Sequence, residues 1–358
     1  MSPAHKQETK RKRVTVKDVA LEAGVAIGTV SRVVRQQSNV APDVRKKVET
    51  AIRKLGWQPS LAAQSMRGVA SRSIGFIFSD IRNPLYAEMA KGAEDLLAQH
   101  GYVLVVASSD GRPEVEQALI ERFARWNVEG MLFSIEDESH PGLSQTLANI
   151  NFPFVMVERD HPLADAAVGA DHYRGTFLAT EHLLLLGHRR IAMISGGNQK
   201  TRVSRDRVAA YLAAHAQQEV AVDASLLRLD SFSQDYGFRE AQRLLSQPDP
   251  PSAILALGMR LLPGVLSAVR SKGVAIPENL SLVASNDSDL AQLAVPDISV
   301  IRYDPYILGR EAAQLLMQKL LKGENLNHLR VETPAEFIMR SSCSVHHPSR
   351  PAESILGA

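Results

Sequence analysis

Residues 15–34 read TVKDVALEAGVAIGTVSRVV, and this stretch decides the architecture of the N-terminal part of the chain. Thr15 with Asp18 three residues later is typical of a helix start, because their side chains satisfy free backbone N–H groups. Apolar residues then recur at helical spacing, and Gly24 predicts the end of this helix. A second helix is predicted over residues 27–35, and a third from Pro42 to residue 55. Two short helices joined by a tight turn, followed by a supporting helix, form a helix-turn-helix arrangement.

Charge is distributed unevenly along the chain. Residues 1–72 hold 15 Lys and Arg residues against 5 Asp and Glu residues, a net charge of +10, and the remainder has a net charge of −8. The whole chain therefore carries only +2. This asymmetry predicts that contact with a nucleic acid or a membrane surface is confined to the N-terminal part.

Length and composition exclude several classes of protein. The chain has 358 residues, 45% of them hydrophobic and 22% charged, which is ordinary for a globular protein of two or three domains. No apolar run approaches the ~20 residues that a membrane helix needs. Residues 1–13 are polar and basic, unlike a secretory signal. The single cysteine, Cys343, excludes a disulfide framework and a multi-cysteine metal site. We expect a soluble cytoplasmic protein without a cofactor.

Strand and helix patterns alternate from about residue 73 onward. Strands are predicted over residues 73–78, 102–107, 130–133, 154–157, 191–194, 253–257 and 280–284, and helices over residues 85–100, 113–126, 177–186, 205–215, 236–245 and 262–271. This alternation predicts an α/β fold with parallel sheets covered by helices on both faces. About 270 residues exceed one core of this type, so we expect two similar lobes. Ligands bind outside the carboxyl ends of such strands, which predicts a pocket between the lobes.

Residues 14–34 closely resemble the start of the LacI/GalR transcriptional regulators. Further matches follow in the family's order and spacing at residues 48–59, 73–76, 80–84, 181–183, 186–191 and 276–278, so the resemblance covers about residues 14–342. It implies an N-terminal three-helix helix-turn-helix domain, a hinge helix and a two-lobed body similar to periplasmic sugar-binding proteins. It also implies a cytoplasmic homodimer that binds double-stranded operator DNA and senses a small metabolite.

The resemblance and the composition together predict five segments. These are a basic flexible arm (residues 1–13), a DNA-binding helix-turn-helix domain (14–58), a hinge helix and linker (59–72), a two-lobed body for effector binding and dimerisation (73–342), and a flexible tail (343–358).

Two other classes of protein are alternatives to a regulator. A transport-linked sugar-binding protein would account for the lobes, but it requires a secretory signal and no basic N-terminal part. An enzyme is disfavoured, because the sequence contains no Walker-type phosphate loop, no His-Glu-x-x-His and no nucleophile elbow. We therefore expect a non-enzymatic transcriptional regulator, a repressor that a metabolite releases from its operator.

The second helix supplies the predicted base contacts. In the family its first two exposed positions, here Ile27 and Gly28, select the operator, although neither side chain forms a hydrogen bond. Arg32 matches the family's base-contacting arginine and suits a bidentate guanine contact, with a phosphate contact as the alternative. Thr29 and Ser31 resemble phosphate-contacting positions. DNA shape and backbone contacts therefore carry more of the recognition.

Residues 59–66 resemble the family's hinge helix, which folds on the operator. Met66 stands at the position of the apolar residue that wedges into a central minor-groove step, where the family usually has leucine. Ala63 matches the small residue that allows two hinge helices to approach. The alternative for Met66 is packing within the domain interface.

Arg207 matches the family's ligand-contacting arginine, and its fork of donors suits hydroxyls or a carboxylate. The alternative is a surface arginine on a helix. Asn286 replaces a carboxylate that often binds sugar hydroxyls in the family, and Gly258 and Met259 replace its Asn-Asp pair. The loss of anionic positions beside a retained arginine favours a sugar acid over a neutral sugar as the effector.

Four residues of the first lobe lie on loops after strands, where the family contacts its ligand: Asp80, Asn83, Tyr86 and Asp110. Tyr86 either stacks on a ligand ring or caps the core. Arg302 is expected in a segment that crosses between the lobes. The sequence leaves open the effector, its direction of action, the operator and the choice between dimer and tetramer.

Overall fold

The computed structural model describes residues 14–34, 37, 39–57 and 70–346. The chain divides into two compact units, the head at residues 1–71 and the body at residues 72–358. The head and the body have separate apolar cores.

The described residues of the head form three helices, α1 (Val16–Ala23), α2 (Ile27–Val34) and α3 (Pro42–Leu55). α1 begins where the backbone N–H and the hydroxyl of Thr15 donate to Asp18 Oδ2, at 2.8 and 2.7 Å. It ends at Gly24, whose φ of 64° is accessible to glycine at little cost. The helices bury one apolar cluster: Val19, Ala20, Val30, Val33, Val48 and Ala51. The predicted helix-turn-helix is confirmed.

The first lobe of the body contains a parallel sheet in the order β11-β5-β4-β3-β1-β2. Its strands are β1 (Ser73–Phe78), β2 (Val103–Ser108), β3 (Gly130–Phe133), β4 (Phe154–Val157), β5 (Ala166–Ala170) and β11 (Leu329–Thr333). The helices of this lobe are α4 (Pro84–Gln99), α5 (Pro113–Arg125), α6 (Pro141–Ala148) and α12 (Pro305–Lys322). β3, β4 and β5 are buried along their whole length, as expected for strands covered on both faces.

The second lobe repeats this arrangement with the sheet order β12-β10-β9-β8-β6-β7. Its strands are β6 (Ile191–Ser195), β7 (Leu227–Arg228), β8 (Ala253–Leu257), β9 (Ser281–Ser285), β10 (Ser299–Arg302) and β12 (Glu336–Ile338), of which only the last pairs antiparallel. Its helices are α7 (His172–Leu185), α8 (Arg202–Gln217), α9 (Gln234–Leu245), α10 (Leu261–Ser271) and α11 (Asp289–Leu293). The expected α/β fold with two parallel-sheet lobes is confirmed.

The chain crosses between the lobes at three places. It passes from β5 to α7 at Asp171, from β10 to α12 at residues 303–304, and from β11 to β12 at residues 334–335. Each lobe is therefore assembled from separate parts of the sequence, and the first and third crossovers are joined where the Asp171 N–H donates to Thr333 O at 2.9 Å.

Helix α12 is absent from the sequence-based prediction, although it is 18 residues long. It packs against α4 and against β3, β4 and β5. Its buried residues are Leu308, Gly309, Ala312, Ala313, Leu315, Leu316 and Met317. Because α12 buries side chains against two partners, its apolar residues spread around the helix and the helical periodicity is weak.

The predicted flexible tail is wrong for residues 343–346. Cys343 and Ser344 are hydrogen-bonded to the second lobe, and the His346 N–H donates to Leu186 O at 2.8 Å. The residue before them, Ser342, is fully buried and its hydroxyl donates to Leu282 O at 2.6 Å. Individual hydrogen bonds, and not a helix or strand, attach this segment to the second lobe. Its sequence therefore shows no helical or strand periodicity.

The contact between α4 and α12 requires glycine. A Cβ atom on Gly309 would lie far inside van der Waals distance of Met89 O, and one on Gly92 would do the same with Tyr306 O. Both obstacles are backbone atoms, so neither helix can relieve the clash by rotating a side chain.

We expect Gly309→Ala to lower the free energy of unfolding by about 1–3 kcal/mol, because the added methyl group forces α4 and α12 apart. Urea unfolding followed by circular dichroism measures this change. Gly142→Ala is the matched control, since a Cβ there meets only the movable side-chain amide of Gln117 and the ring of His140. Equal stability of the Gly309→Ala variant and the wild type would contradict the close contact.

Candidate functional site

Helix α2 presents one exposed face in the head. Ile27 is 44% exposed, and Gly28 and Arg32 are also exposed, whereas Val30 and Val33 are buried. Arg32 Nε donates weakly to Gly28 O at 3.4 Å, so the side chain lies back along the helix. Thr29 and Ser31 are partly buried at the edges of this face. The five predicted DNA-contacting residues of α2 therefore lie at its first two turns, away from the apolar core.

Two further predicted DNA-contacting residues, Ala63 and Met66, lie outside the described residues. The expected basic arm (residues 1–13), residue 58 and residues 59–69 of the expected hinge region lie outside them as well.

A cavity of about 220 Å³ lies between the two lobes of the body. Most of its lining residues lie at or just beyond the carboxyl ends of parallel strands, as the alternating pattern predicted, and others, such as Tyr86 and Arg207, lie on helices. Five of the six predicted effector-binding residues line it: Asp80, Asn83, Tyr86, Asp110 and Arg207.

The sixth, Asn286, lies elsewhere. It is buried, has a φ of 67°, and lines a neighbouring pocket of about 780 Å³. The preceding residue, Ser285, ends β9 and places its hydroxyl 3.4 Å from Arg207 Nη2. Because the chain turns at Asn286, Ser285 takes the position beside Arg207 that the sequence suggested for Asn286. The two pockets share Met259 and Tyr303.

Asp80 is an ion-pair residue between the lobes. Its carboxylate accepts from Arg82 Nε at 2.9 Å and forms a second ion pair with Arg260 of the other lobe. Burial raises the pKa of Asp80, but hydrogen bonds from Arg82 and the charge of Arg260 outweigh this and lower it. Asp80 is therefore ionised and already occupied by two guanidinium groups.

The other first-lobe residues have different roles. Asn83 accepts the Leu85 N–H at 3.2 Å and caps α4. The ring of Tyr86 stacks on Phe78 at 4.8 Å, and its hydroxyl lies 3.3 Å from Ser79 Oγ and Ser134 Oγ. These contacts pack the Tyr86 ring on the core, and the same side chain also lines the cavity. Asp110 is exposed at the rim of the cavity, with a φ of 53°.

Arg207 is buried on α8, with 4% of its surface exposed, and is not a surface arginine. Nη1 donates to Leu257 O at 2.8 Å and to Ser195 Oγ at 3.4 Å. Its guanidinium also lies 5.9 Å from the centre of the Phe232 ring, which lines the same cavity. These partners are neutral, so they orient the guanidinium without compensating its charge.

A buried chain of side chains connects Arg207 with the first lobe. Arg207 Nη2 lies 3.4 Å from His172 Nδ1, and His172 Nε2 is in short contact with Glu158 Oε2. Glu158 follows β4 and also accepts the Ala170 N–H at 2.8 Å. Burial raises the pKa of Glu158, but His172 and the Ala170 N–H outweigh it and lower the value. Glu158 is therefore ionised. It contacts one nitrogen of the His172 ring, and the other ring nitrogen lies beside Arg207.

Two charged residues of the first lobe that sequence reasoning missed also line the cavity. Arg159 is 5% exposed, and its Nε and Nη1 donate to the backbone carbonyls of Ile135 and Glu158. Glu136 follows β3, and burial raises the pKa of its carboxyl group. Both residues come two or three positions after the end of a parallel strand. Because ligands bind at these strand ends, their positions in the sequence could have identified them as candidate cavity residues.

Glu116 of α5 lies behind Glu136 and is fully buried. Its Oε1 accepts the Glu136 N–H at 3.0 Å and the Ser109 hydroxyl at 3.3 Å. Burial raises the pKa of Glu116 to about 7, because the charged form loses its hydration. The charge of Glu136 acts in the same direction.

A further ionic cluster joins the lobes at the edge of the cleft. Glu138 Oε1 accepts the Arg202 N–H at 2.9 Å, and Glu138 Oε2 pairs with Arg205 at 2.7 Å. Arg202 also pairs with Asp160 at 3.0 Å. Glu138 and Asp160 belong to the first lobe and the two arginines to α8, so charge pairs hold the lobes together at this edge.

In the part of the chain that the structure describes, no helix is long and apolar enough to cross a membrane. Those residues also contain no group of three His, Cys, Asp or Glu side chains placed to hold a metal ion.

Known proteins share both parts of this architecture. A family model of the bacterial regulatory proteins of the lacI family matches residues 15–60, and one of the periplasmic binding protein-like domain matches residues 180–343. The chain is 30% identical to the HTH-type transcriptional regulator DegA of Bacillus subtilis, over 93% of this chain and 98% of DegA. It is 29% identical to the HTH-type transcriptional repressor PurR of Haemophilus influenzae, over 92% of this chain and 98% of PurR.

A solved structure extends the likeness to three dimensions. The lac repressor dimer bound to operator and the anti-inducer ONPF matches with a TM-score of 0.76 and 26% identity, over 93% of this chain and 100% of that chain. The head and the two-lobed body thus define a DNA-binding regulator with a periplasmic-binding-protein-like domain. The chain belongs to the LacI family of bacterial regulatory proteins and is a DNA-binding transcriptional repressor.

Glu116 makes the stability of the body depend on pH. The folded protein binds the Glu116 proton more tightly than the unfolded chain, so its contribution to stability is present at low pH. That contribution is lost as the pH rises from about 4.5 to about 7. We expect Glu116→Gln to remove part of this decline and to stabilise the protein above pH 7, by up to about 3 kcal/mol.

Thermal unfolding at a series of pH values between about 5 and 8 measures this difference. Glu114→Gln is the control, because Glu114 is exposed on the same helix. A pH profile of Glu116→Gln that runs parallel to the wild-type profile would show that Glu116 is ionised throughout.

Proposed function

We propose that this LacI-family repressor binds its operator as a homodimer in the cytoplasm, with an operator affinity set by a sugar or sugar acid bound between the lobes. The observation that carries the DNA-binding part is the exposed face of α2, which holds Ile27, Gly28 and Arg32 on a head whose core is complete without them. One such helix reads only a half-site, which is why a two-fold dimer on a near-palindrome is required.

The residues of the head have separate proposed roles. Arg32 donates two hydrogen bonds to a guanine, and Ile27 and Gly28 contribute shape and apolar contact at the neighbouring bases. Thr29 and Ser31 contact phosphates. In the hinge, Met66 inserts into a minor-groove step and Ala63 allows two hinge helices to pack together. This division leaves little direct base readout, so DNA deformability contributes to operator choice.

The effector site is proposed for the cavity of about 220 Å³ between the lobes. Arg207 is the central ligand residue, because it is buried and lines this cavity. Asp110 faces the ligand at the rim. Asn83 and Tyr86 shape the first-lobe wall, and Asp80 links the wall to the second lobe through Arg260.

Asn286 has a separate proposed role in the neighbouring pocket. There it forms part of the pocket wall together with Tyr303.

A ligand that changes the separation of the lobes alters operator affinity. Linkage then requires that operator DNA change the affinity for the ligand by the same factor.

The role of Arg32 is testable with DNA selected from a randomised pool by the wild-type protein. We expect Arg32→Met to weaken binding of the selected sequence by about 5–150-fold and to relax discrimination at one guanine, because a bidentate contact is lost. Fluorescence anisotropy with the selected DNA and with single-base variants measures both effects.

Arg53→Met is the matched control, since it removes the same charge from an exposed position on α3. Unchanged affinity and unchanged base preference in Arg32→Met would assign base recognition to other residues.

The basic head predicts strong salt dependence. If the dimer neutralises about six to ten phosphates, operator affinity falls by about 10³–10⁵ between 50 and 200 mM salt, because bound counterions are released. Anisotropy titrations across this range give the slope of log K against log salt. A nearly flat slope would contradict electrostatic contact of the head with DNA.

A further inference from the structure

The cavity between the lobes is lined by two buried guanidinium groups, one from each lobe. Arg159 follows β4 of the first lobe, and Arg207 lies on α8 of the second. They are 5% and 4% exposed. Within the described residues, neither forms an ion pair with a carboxylate, since their hydrogen bonds go to backbone carbonyls, hydroxyls and His172.

A buried guanidinium that is not directly paired with a carboxylate is costly. Against the effect of burial, the nearby charges of Glu136, Glu138 and Glu158 raise the pKa of Arg159, but none of these carboxylates is in direct contact with its guanidinium. Burial lowers the pKa of Arg207, and the charge of Arg159 acts in the same direction against the effects of Tyr303 and Glu158. Three of the four Arg207 hydrogen bonds are 3.4 Å long and therefore weak. An anion between the two guanidinium groups would gain charge-assisted hydrogen bonds and relieve their repulsion.

The first-lobe wall of the same cavity carries carboxyl groups. Glu136 and Asp110 both line it, and among the described residues neither carboxyl group has a hydrogen-bond or ion-pair partner. Asp80 differs, because Arg82 and Arg260 already occupy it. A ligand bound here therefore meets hydrogen-bond acceptors and the Arg159 guanidinium on the first-lobe wall, and the Arg207 guanidinium on the second lobe.

Size and shape limit the ligand further. A cavity of about 220 Å³ lies below the ~300–1,000 Å³ typical of drug-sized ligands. The Phe232 ring supplies one apolar wall, and its position is fixed by Gly196 and Gly258, where any Cβ atom would collide with it. A single small ring or a short chain fits this space.

We propose that the effector is a monosaccharide-sized polyhydroxylated carboxylate, whose carboxylate group is bound by Arg159 and Arg207 together and whose hydroxyl groups donate to Glu136 and Asp110. This inference rests on the proposed effector site. It adds Arg159 and Glu136 as specificity residues. Because the two arginines belong to different lobes, the carboxylate is the group that bridges the lobes, and a neutral sugar lacks this bridge.

The experiment compares acids with their neutral counterparts on the full chain. D-gluconate, D-glucuronate and D-galacturonate are titrated by isothermal calorimetry beside D-glucitol, D-glucose and D-galactose. We expect at least one acid to bind about 30-fold or more tightly than its neutral counterpart, since charge-assisted hydrogen bonds are lost in the latter. Equal binding of an acid and its neutral partner, or no binding of any acid, overturns the proposal.

Substitutions of cavity-lining residues test which side chains bind the carboxylate group of the ligand. Arg207→Met and Arg159→Met are each expected to weaken the bound acid about 30-fold or more, and Arg207→Lys to weaken it less because it keeps the charge. Glu136→Gln should weaken it by a smaller factor of about five, from a lost acceptor. Arg174→Met is the control, since Arg174 is exposed on α7. A folded Arg207→Met or Arg159→Met variant that binds the acid like the wild type overturns the clamp.

Operator binding tests the repressor function separately from the proposed carboxylate ligand. DNA selection and affinity measurement, each carried out with and without the acids, test the repressor function whichever way an effector acts. If selected DNA binds while the acids do not, the carboxylate proposal fails and the repressor function stands. If no DNA sequence is selected, the proposed function fails independently of the calorimetry.

Discussion

The buried connection from Glu158 through His172 to Arg207 is the interaction on which the arrangement of the lobes depends. It joins the end of a first-lobe strand to a second-lobe helix with all three side chains almost completely buried. An ionised carboxylate and a guanidinium are stable in such a place only when hydrogen bonds satisfy them. The connection therefore fixes both the floor of the cavity and the distance between the lobes at that point.

Other contacts between the lobes are also ionic. Asp80 pairs with Arg260 at one side of the cleft, and Glu138 and Asp160 pair with Arg202 and Arg205 at another. Charge pairs near solvent are individually weak and exchange readily with water, unlike an apolar interface. The lobes are thus held at these edges by contacts that are individually weak.

The fold was predictable from the sequence where local signals are strong. Thr15, Asp18 and Gly24 mark the ends of α1, and the structure uses each of them in that role. β1, β3 and β4 lie where continuous apolar runs placed them. α12 escaped prediction because it packs on two sides, and residues 343–346 because isolated hydrogen bonds hold them.

The sequence by itself determined the helix-turn-helix and the alternation of strands and helices. These depend on neighbours within a few positions, so their signals lie close together in the chain. The expectation that Arg207 lies in a cleft between lobes came from the resemblance to the LacI/GalR regulators. Only the tertiary structure decided that Arg159 and Glu136 line the same cavity as Arg207, that Tyr86 packs on the core, and that Ser285 takes the place expected for Asn286. The direction of a side chain after a strand depends on one or two backbone torsions, and the groups it meets come from distant parts of the chain.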